Sequence, residues 1–287
     1  MSGDERLEPA LYVVGTPIGN LEDITLRALR ILKSVDRIAC EDTRQTQKLL
    51  NHYEIRTPTV SYHDHNEMTR APELIVHLED GESIALVTDA GMPGISDPGY
   101  RLISLAVRHG IRVVPVPGAS AFLSALVASG LPGETFKFNG FLPAKSGQRR
   151  QVLEEVRDLP RTQIFYEAPH RIIEALKDIV EVMGPTRHIV VAREVTKIHE
   201  EFLRGRAEDV LRTAEERGEL KGEITLLIGK PEENGKAAPA KETVGQMVQR
   251  MMQNESLDEK DALKRVAKEL GIGKSEAYRE LQRTKKS

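Results

Sequence analysis

A chain of 287 residues with a net charge of −3 and 39% hydrophobic side chains is long enough for two domains of ordinary size and too polar for a membrane protein. No apolar run approaches the ~20 residues of a spanning helix, and the polar, acidic opening MSGDERLEPA lacks the apolar stretch of a signal peptide, so a cytoplasmic location is expected. Cys40, the single cysteine, excludes an intramolecular disulfide and a cysteine-based zinc site.

In chain order, Leu11 to Gly15 reads as a strand, and Ile24 to Val35 carries apolar residues at helical spacing. Arg37 to Cys40, Thr59 to Tyr62, Ile84 to Thr88 and Arg112 to Val116 read as further strands, with a helix over Asp97 to Val107. That rhythm predicts an α/β domain over residues 1–117 with a mostly parallel sheet. IALVT, residues 84–88, is almost wholly apolar, as a central strand covered on both faces should be. A second α/β domain is predicted over 118–230. It has helices at Ala119–Ser129, Gln148–Val156, Arg171–Met183 and Ala207–Glu216. Its strands are Phe136–Phe141, Gln163–Tyr166, His188–Ala192, Glu201–Arg204 and Ile224–Ile228. Consecutive strands either side of Lys197 imply an antiparallel element, hence a mixed sheet.

Residues 231–243 are polar and Pro/Gly-bearing and read as a linker. Beyond it, 244–287 reads as a small helical tail. Lys260 to Leu270 and Lys274 to Arg283 flank the turn Gly271-Ile272-Gly273, with Ala277, Tyr278 and Leu281 facing inward in the second helix. This is a helix-turn-helix-like pattern. The tail holds ten Lys/Arg against seven Asp/Glu, a local charge of +3 on a body of −6. A polyanionic partner and a plain packing helix pair are both compatible with that charge.

Three strand ends carry Gly/Pro-rich turns. Gly15 to Asn20 has two glycines that let a ligand approach the backbone, but neither the dinucleotide fingerprint nor a P-loop is present, and an ordinary tight strand-to-helix turn is the plainer reading. Thr88 to Gly99, TDAGMPGISDPG, follows the most apolar strand. Ligands of open α/β sheets bind beyond the carboxyl ends of strands, so this loop is the main candidate site. Asp97 reads there as an N-cap, with Pro98 opening the next helix. The absence of a cation in the loop disfavours a triphosphate. Pro115 to Ser120 forms the third turn.

The segments GTPIGNLEDITLRAL, CEDTR, SYHDHNE, ALVTDAGMPGISDPG, PVPGASA, GFLPAK, FYEAPHR, REVTK and GEITLLIG, in this order, resemble the ribosomal RNA small subunit methyltransferase I family. That family sits within the tetrapyrrole-methylase-like class of S-adenosylmethionine enzymes. The resemblance covers about Leu11 to Gly229, and the tail is similar to the family's C-terminal domain. It implies 2′-O-methylation of a cytidine ribose in the decoding region of 16S rRNA. It also implies two α/β domains with S-adenosylmethionine in the cleft between them, a homodimer, and small-subunit rRNA or the small ribosomal subunit as partner.

Carried over residue by residue, the resemblance places the cofactor against Asp89, Gly91, Met92, Pro93 and Ile95, and against Ser120 and Ala121. The second domain closes over it through Tyr166, Glu167, Glu223, Ile224 and Thr225. Many relatives have a glycine-richer first loop. Here Thr16 and Pro17 follow Gly15, so that loop is expected to face the substrate.

A ribose hydroxyl is a weak nucleophile near neutral pH, so a proton acceptor helps. His63, His65, Glu67, Glu41, Asp42, His170 and Glu194 are candidates, and His63 or Glu67 is the expected base. Glu41, Asp42 and His170 are placed on the substrate side, with the cations Arg44, Lys145, Arg149, Arg150, Arg171, Arg193 and Lys197 available to phosphates. A solvated helix terminus is the plain alternative for Arg149 and Arg150. At 4% aromatic residues and no Trp, no stacking platform is expected. His63, Asp64, His65 and Glu67 lie close in sequence, but methyl transfer needs no metal, and none is expected. The alternatives are a tetrapyrrole or protein side-chain acceptor with the same methyl donor, or a nucleic-acid-binding regulator that senses the donor without turnover.

Overall fold

The structure, a computed structural model, describes residues 7–218, 220–231, 244, 247–248, 251–252, 258–269 and 273–284. Strands β1 (Leu11–Val14), β2 (Arg37–Cys40), β3 (Thr59–Ser61), β4 (Ile84–Val87) and β5 (Val113–Val116) form a parallel sheet in the order β3-β2-β4-β1-β5. Every residue of β1 and β4 is buried, the pattern of central strands covered on both faces. The chain leaves β1 toward β2 and β3, returns to β4 beside β1, and then crosses to β5 on the other side. The crossovers that follow β1 and β4 therefore run in opposite directions across the sheet. Such a switch point opens a crevice beyond the carboxyl ends of the strands.

Helix α1 (Leu26–Ser34) is capped by Thr25, whose hydroxyl accepts from the Ala28 amide at 3.1 Å. The sheet's crossovers also contain α2 (Thr43–His52) and α3 (Glu67–Glu79), which the hydrophobic pattern did not reveal. Among its ten residues α2 buries only Thr46, Leu49 and Leu50, too few to display a period. Helix α3 carries Pro72 in its interior, a residue that ordinarily argues against a helix. Helix α4 (Tyr100–Arg108) completes this half. The sheet separates two apolar layers, one around Tyr12, Ile31, Leu32 and Leu50, the other around Leu11, Leu74, Leu86 and Leu102.

The second sheet is mixed, as expected. Strands β6 (Phe136–Phe141), β7 (Thr162–Glu167), β8 (His188–Arg193), β9 (Glu201–Arg206) and β10 (Ile224–Ile228) run in the order β6-β7-β10-β8-β9. Only β6 and β7 pair in parallel, and the antiparallel pair either side of Lys197 is β8 with β9. Helices α6 (Ser146–Val156), α7 (Ile172–Met183) and α8 (Ala207–Arg217) cover one face around Phe165, Leu176 and Leu226. Helix α5 (Ala121–Ser129) covers the other, where Ala125 and Leu126 join Ile164, Leu227 and Ile18 from the loop after β1.

Met1–Pro231 forms one compact unit holding both sheets, and Glu232–Ser287 forms another. The expected division at residues 117 and 118 falls inside the first unit. In the second, helices Glu259–Glu269 and Lys274–Thr284 pack through Ala262, Val266 and Leu281. Tyr278, expected to face inward, is 53% exposed. Residues 232–243 of the expected linker, Leu270, and Gly271 and Ile272 of the expected turn lie outside the described residues. No helix among the described residues is long and apolar enough to cross a membrane.

Candidate active site

The three Gly/Pro-rich turns meet. Thr16 and Gly91 exchange backbone hydrogen bonds of 2.9 and 3.2 Å, and the Thr16 hydroxyl donates to the Thr88 carbonyl at 3.0 Å. Gly15 lies against Gly118 so closely that a Cβ on either would stand 2.7 Å from the other's Cα. A Cβ on Gly19 would strike the side chain of Lys197. The glycines of the first turn therefore serve close packing, in keeping with its plainer reading as a tight strand-to-helix turn. Ile18 between them does line the cavity described next.

The loop after β4 is held by residues with positive φ at Gly91 (86°), Gly94 (80°), Ser96 (63°) and Gly99 (145°). Ser96 has a side chain, and the left-handed conformation costs a non-glycine residue about 1 kcal/mol or more. Gly94 donates to the Pro98 carbonyl at 3.2 Å, and Gly99 rather than Asp97 stands at the N-cap of α4. The expected capping by Asp97 and helix start at Pro98 are thus corrected. The helix begins after the tight turn at Gly99, and Asp97 lines a cavity instead.

That cavity, about 280 Å³, lies between the two sheets. From the first half come Ile18, Gly91, Met92, Ile95, Ser96 and Asp97. From the second come Ser120, Ala121 and Phe122 opening α5, Phe141, Tyr166 and Glu167 of β6 and β7, and Glu223, Ile224 and Thr225 at β10. All the residues expected to hold a cofactor line it except Asp89 and Pro93. Pro93 is buried within its loop. The Asp89 carboxylate accepts from the Asp42 amide at 3.2 Å, joining the two strand ends.

The wall is apolar and aromatic with a few placed polar groups, the usual composition of a small-molecule site. Phe138 packs against Tyr166 at 4.9 Å between ring centroids and against Phe122 at 4.6 Å, and Phe141 is 57% exposed. Several of the chain's few aromatic residues gather at this one place. Glu167 is buried. One of its carboxylate oxygens accepts from the Ala168 amide at 2.7 Å and from Arg171 at 2.8 Å, while the other is buried with no partner among the described residues. Such a group is costly unless a ligand donor meets it. Burial pushes the Tyr166 hydroxyl up to about 12. The Asp97 carboxyl is pushed up to about 6, first by burial and then by the charges of Glu41, Asp89 and Asp64. Glu41 itself accepts from the Thr88 hydroxyl at 2.8 Å.

His63 and Glu67, the expected bases, do not line this cavity. They follow β3, which is the edge strand, whereas the cavity lies above β4, β1 and β5. The His63 amide donates to the Asn66 side chain at 2.9 Å, its Nε2 lies 3.2 Å from the same side chain, and its Nδ1 is buried without a partner among the described residues. Glu67 begins α3, with the Tyr62 hydroxyl 3.5 Å away. The rings of His63 and His65 stand 6.0 Å apart, and no group of three or more potential metal ligands occurs among the described residues.

The expected substrate cations divide sharply. Arg149 is 3% exposed, bonded to Asp178 at 2.6 Å and to the carbonyl of Ala144 at 3.2 Å. It anchors the turn before α6 and cannot reach a substrate phosphate from there, which corrects that assignment. Arg150 pairs with Asp178 and Glu181, and Arg193 with Glu201. Lys197 pairs with Glu194 at 2.8 Å and Glu223 at 3.0 Å, and Arg171 with Glu167. Arg44 is exposed but pairs with Asp42, and Lys145 and His170 are exposed.

Residues 10–211 match the family Tetrapyrrole (Corrin/Porphyrin) Methylases. A protein of Halalkalibacterium halodurans named ribosomal RNA small subunit methyltransferase I is 49% identical over 93% of each chain. Its namesake in Bacillus subtilis is 44% identical over 93% of this chain and 92% of its own. Among solved structures, a diphthine synthase superposes with a TM-score of 0.61 at 15% identity, over 78% of this chain and 91% of its own. A uroporphyrin-III C-methyl transferase from Thermus thermophilus, complexed with S-adenyl homocysteine, superposes with a TM-score of 0.54 at 21% identity, over 77% and 97%. At these identities the structural likeness speaks to the fold.

Proposed function

The chain belongs to the ribosomal RNA small subunit methyltransferase I family and to the wider tetrapyrrole methylases, and from that premise we propose that it methylates the 2′-hydroxyl of a cytidine in the decoding region of 16S rRNA. Methylation of small-subunit rRNA is the activity for which its full-length relatives are named. The observation that carries the reading in the structure is the convergence of four sequence-distant segments on one cavity: 91–97, 120–122, 166–169 and 222–225.

The residues present fit S-adenosylmethionine. The unpartnered oxygen of Glu167 offers an acceptor to an amino group, while Met92, Ile95, Phe122 and Ile224 offer apolar surface. When bound, S-adenosylmethionine supplies a methyl group on a positively charged sulfur with a neutral leaving group. The protein must then align the acceptor oxygen with that methyl group and keep water out. The buried strand ends and the close loop packing at Gly15 and Gly118 give the wall the rigidity this needs. Exposed Lys145, His170 and Arg44 are the groups available to RNA phosphates, and exposed Phe141 offers a face for a base. Within the helical tail, Lys264, Lys268 and Arg279 are exposed cations of the kind that meet phosphates.

We place the enzyme in the cytoplasm, where its substrate is. Leu123 and Val127, four residues apart on α5 and 44% and 83% exposed, support a homodimer. Sedimentation should then give twice 32.0 kDa. The functional test is methyl transfer from labelled donor to small ribosomal subunits and to naked rRNA, followed by mass mapping of the modified nucleotide. Label on the ribose of a single cytidine is the expected result. Transfer to a porphyrinogen or a protein in place of RNA would refute it.

A further inference from the structure

We propose that Asp97 is the catalytic proton acceptor, taking the proton of the attacking hydroxyl through its side-chain carboxylate. The proposal rests on the reading of the cavity as the site of methyl transfer. Four ionisable side chains line that cavity among the described residues: Asp97, Tyr166, Glu167 and Glu223. Three of them are committed elsewhere. Glu167 is ion-paired to Arg171 through one oxygen and has its side chain wholly buried. Glu223 is ion-paired to Lys197 at 3.0 Å and its side chain is 75% exposed. Tyr166 is held in its protonated form by burial, so its hydroxyl oxygen is a poor base.

Among the described residues Asp97 has no salt-bridge partner, and the charged groups that raise its carboxyl most are carboxylates. The charges of Glu41 after β2, Asp89 after β4 and Asp64 after β3 act on it through space, as its own charge acts on Tyr166 of β7, and the Thr88 hydroxyl opposes them. Burial and these like charges favour the protonated form, against a smaller opposing effect of Thr88. A carboxylate so placed is a stronger base than one free in water, and its affinity for a proton comes close to the operating pH. Asp97 is spared from capping α4, whose N-cap is Gly99, and lines the cavity.

The step balances. The hydroxyl oxygen bonds to the methyl carbon as the carbon–sulfur bond breaks, and sulfur keeps that electron pair. The hydroxyl proton passes to the Asp97 carboxylate, which later releases it to solvent. Sulfonium and carboxylate charges are both lost, so no charge is left stranded in the apolar wall.

The test compares wild type, Asp97→Asn and Asp97→Glu at saturating donor and rRNA. Donor affinity by calorimetry and the thermal midpoint serve as readouts independent of turnover. Asp97→Asn should lower kcat about 100-fold or more, with donor affinity within a few-fold and an undiminished thermal midpoint. It should also abolish the acid limb of the pH–rate profile. Asp97→Glu should recover part of the rate with a displaced acid limb. Near-normal kcat with an intact acid limb in Asp97→Asn overturns the assignment. So does a loss of kcat in Asp97→Asn that is matched by lost donor affinity and a lowered midpoint, with no recovery in Asp97→Glu. If wild type itself transfers no methyl group to RNA, the functional reading fails first and takes the assignment with it.

Discussion

Replacing Asp178 by alanine removes the centre of a buried clamp between α6 and α7. Its carboxylate accepts from the Ser146 hydroxyl at 3.0 Å, from Arg149 at 2.6 Å and from Arg150 at 2.7 Å. The side chains of Asp178 and Arg149 are 4% and 3% exposed, whereas that of Arg150 is 40% exposed. Most of the effect therefore comes from stranding the Arg149 guanidinium, since an exposed pair contributes at most about 1 kcal/mol. Breaking a buried pair from one side costs about 3–5 kcal/mol. At roughly 2–4 °C per kcal/mol for a unit of this size, the thermal midpoint should fall by about 10 °C. Burial raises the Asp178 carboxyl, but the hydrogen bonds from Arg150 and Arg149 outweigh it and hold it below its ordinary 3.8. The clamp is thus fully present above that pH and is lost as pH falls, so the gap between wild type and variant should close in acid. The double variant Arg149→Met/Asp178→Leu, which replaces the pair by apolar groups, should recover most of the midpoint. Its RNA affinity should keep the wild-type salt dependence. If the double variant folded normally but lost about 0.7–0.9 from the salt slope, Arg149 would be a phosphate contact and the structural assignment wrong.

The same Asp97→Asn variant carries a stability signature with its own sign. A carboxyl whose folded value is raised from 3.8 to about 6 stabilises the fold below the unfolded value and loses that contribution as pH rises through the folded one. At pH 8 the asparagine variant should be the more stable, by about 1 kcal/mol after allowance for solvent at the cavity mouth, and denaturant titrations at pH 8 and pH 4 would show the difference vanish in acid. Gly118→Ala should put a methyl group 2.7 Å from the Gly15 Cα, where only backbone can yield. Calorimetry should show donor binding weakened about tenfold or more, in line with the ~1–3 kcal/mol cost of overpacking, and unchanged binding would show that the loop contact does not shape the cavity. Glu167→Gln should weaken donor binding about 10-fold or more, as loss of a charged acceptor in a dry wall does, while Glu167→Gln with wild-type affinity would remove Glu167 from the ligand set.

Much of this architecture is written locally. The strands announce themselves as short apolar runs such as Ile84–Val87, whose burial on both faces is a direct consequence of composition. The Gly/Pro turns at three strand ends were legible because few other residues can make such turns, and most of the residues expected at a cofactor do line one cavity. What sequence order could not reveal is which strand ends are neighbours. His63 and Glu67 look catalytic in a row of polar residues, yet β3 is the sheet edge and carries them away from the cavity. Arg149 and Arg150 are adjacent in sequence, yet α7 brings Asp178 over the first and buries it. Asp97 reads as an ordinary helix cap, yet Gly99 takes that place and Asp97 lines the cavity, where it feels the charges of Glu41, Asp89 and Asp64. Backbone conformation and local burial follow from the residues themselves. The proton affinity and availability of a charged side chain depend on neighbours distant in sequence, and only the tertiary structure decides those.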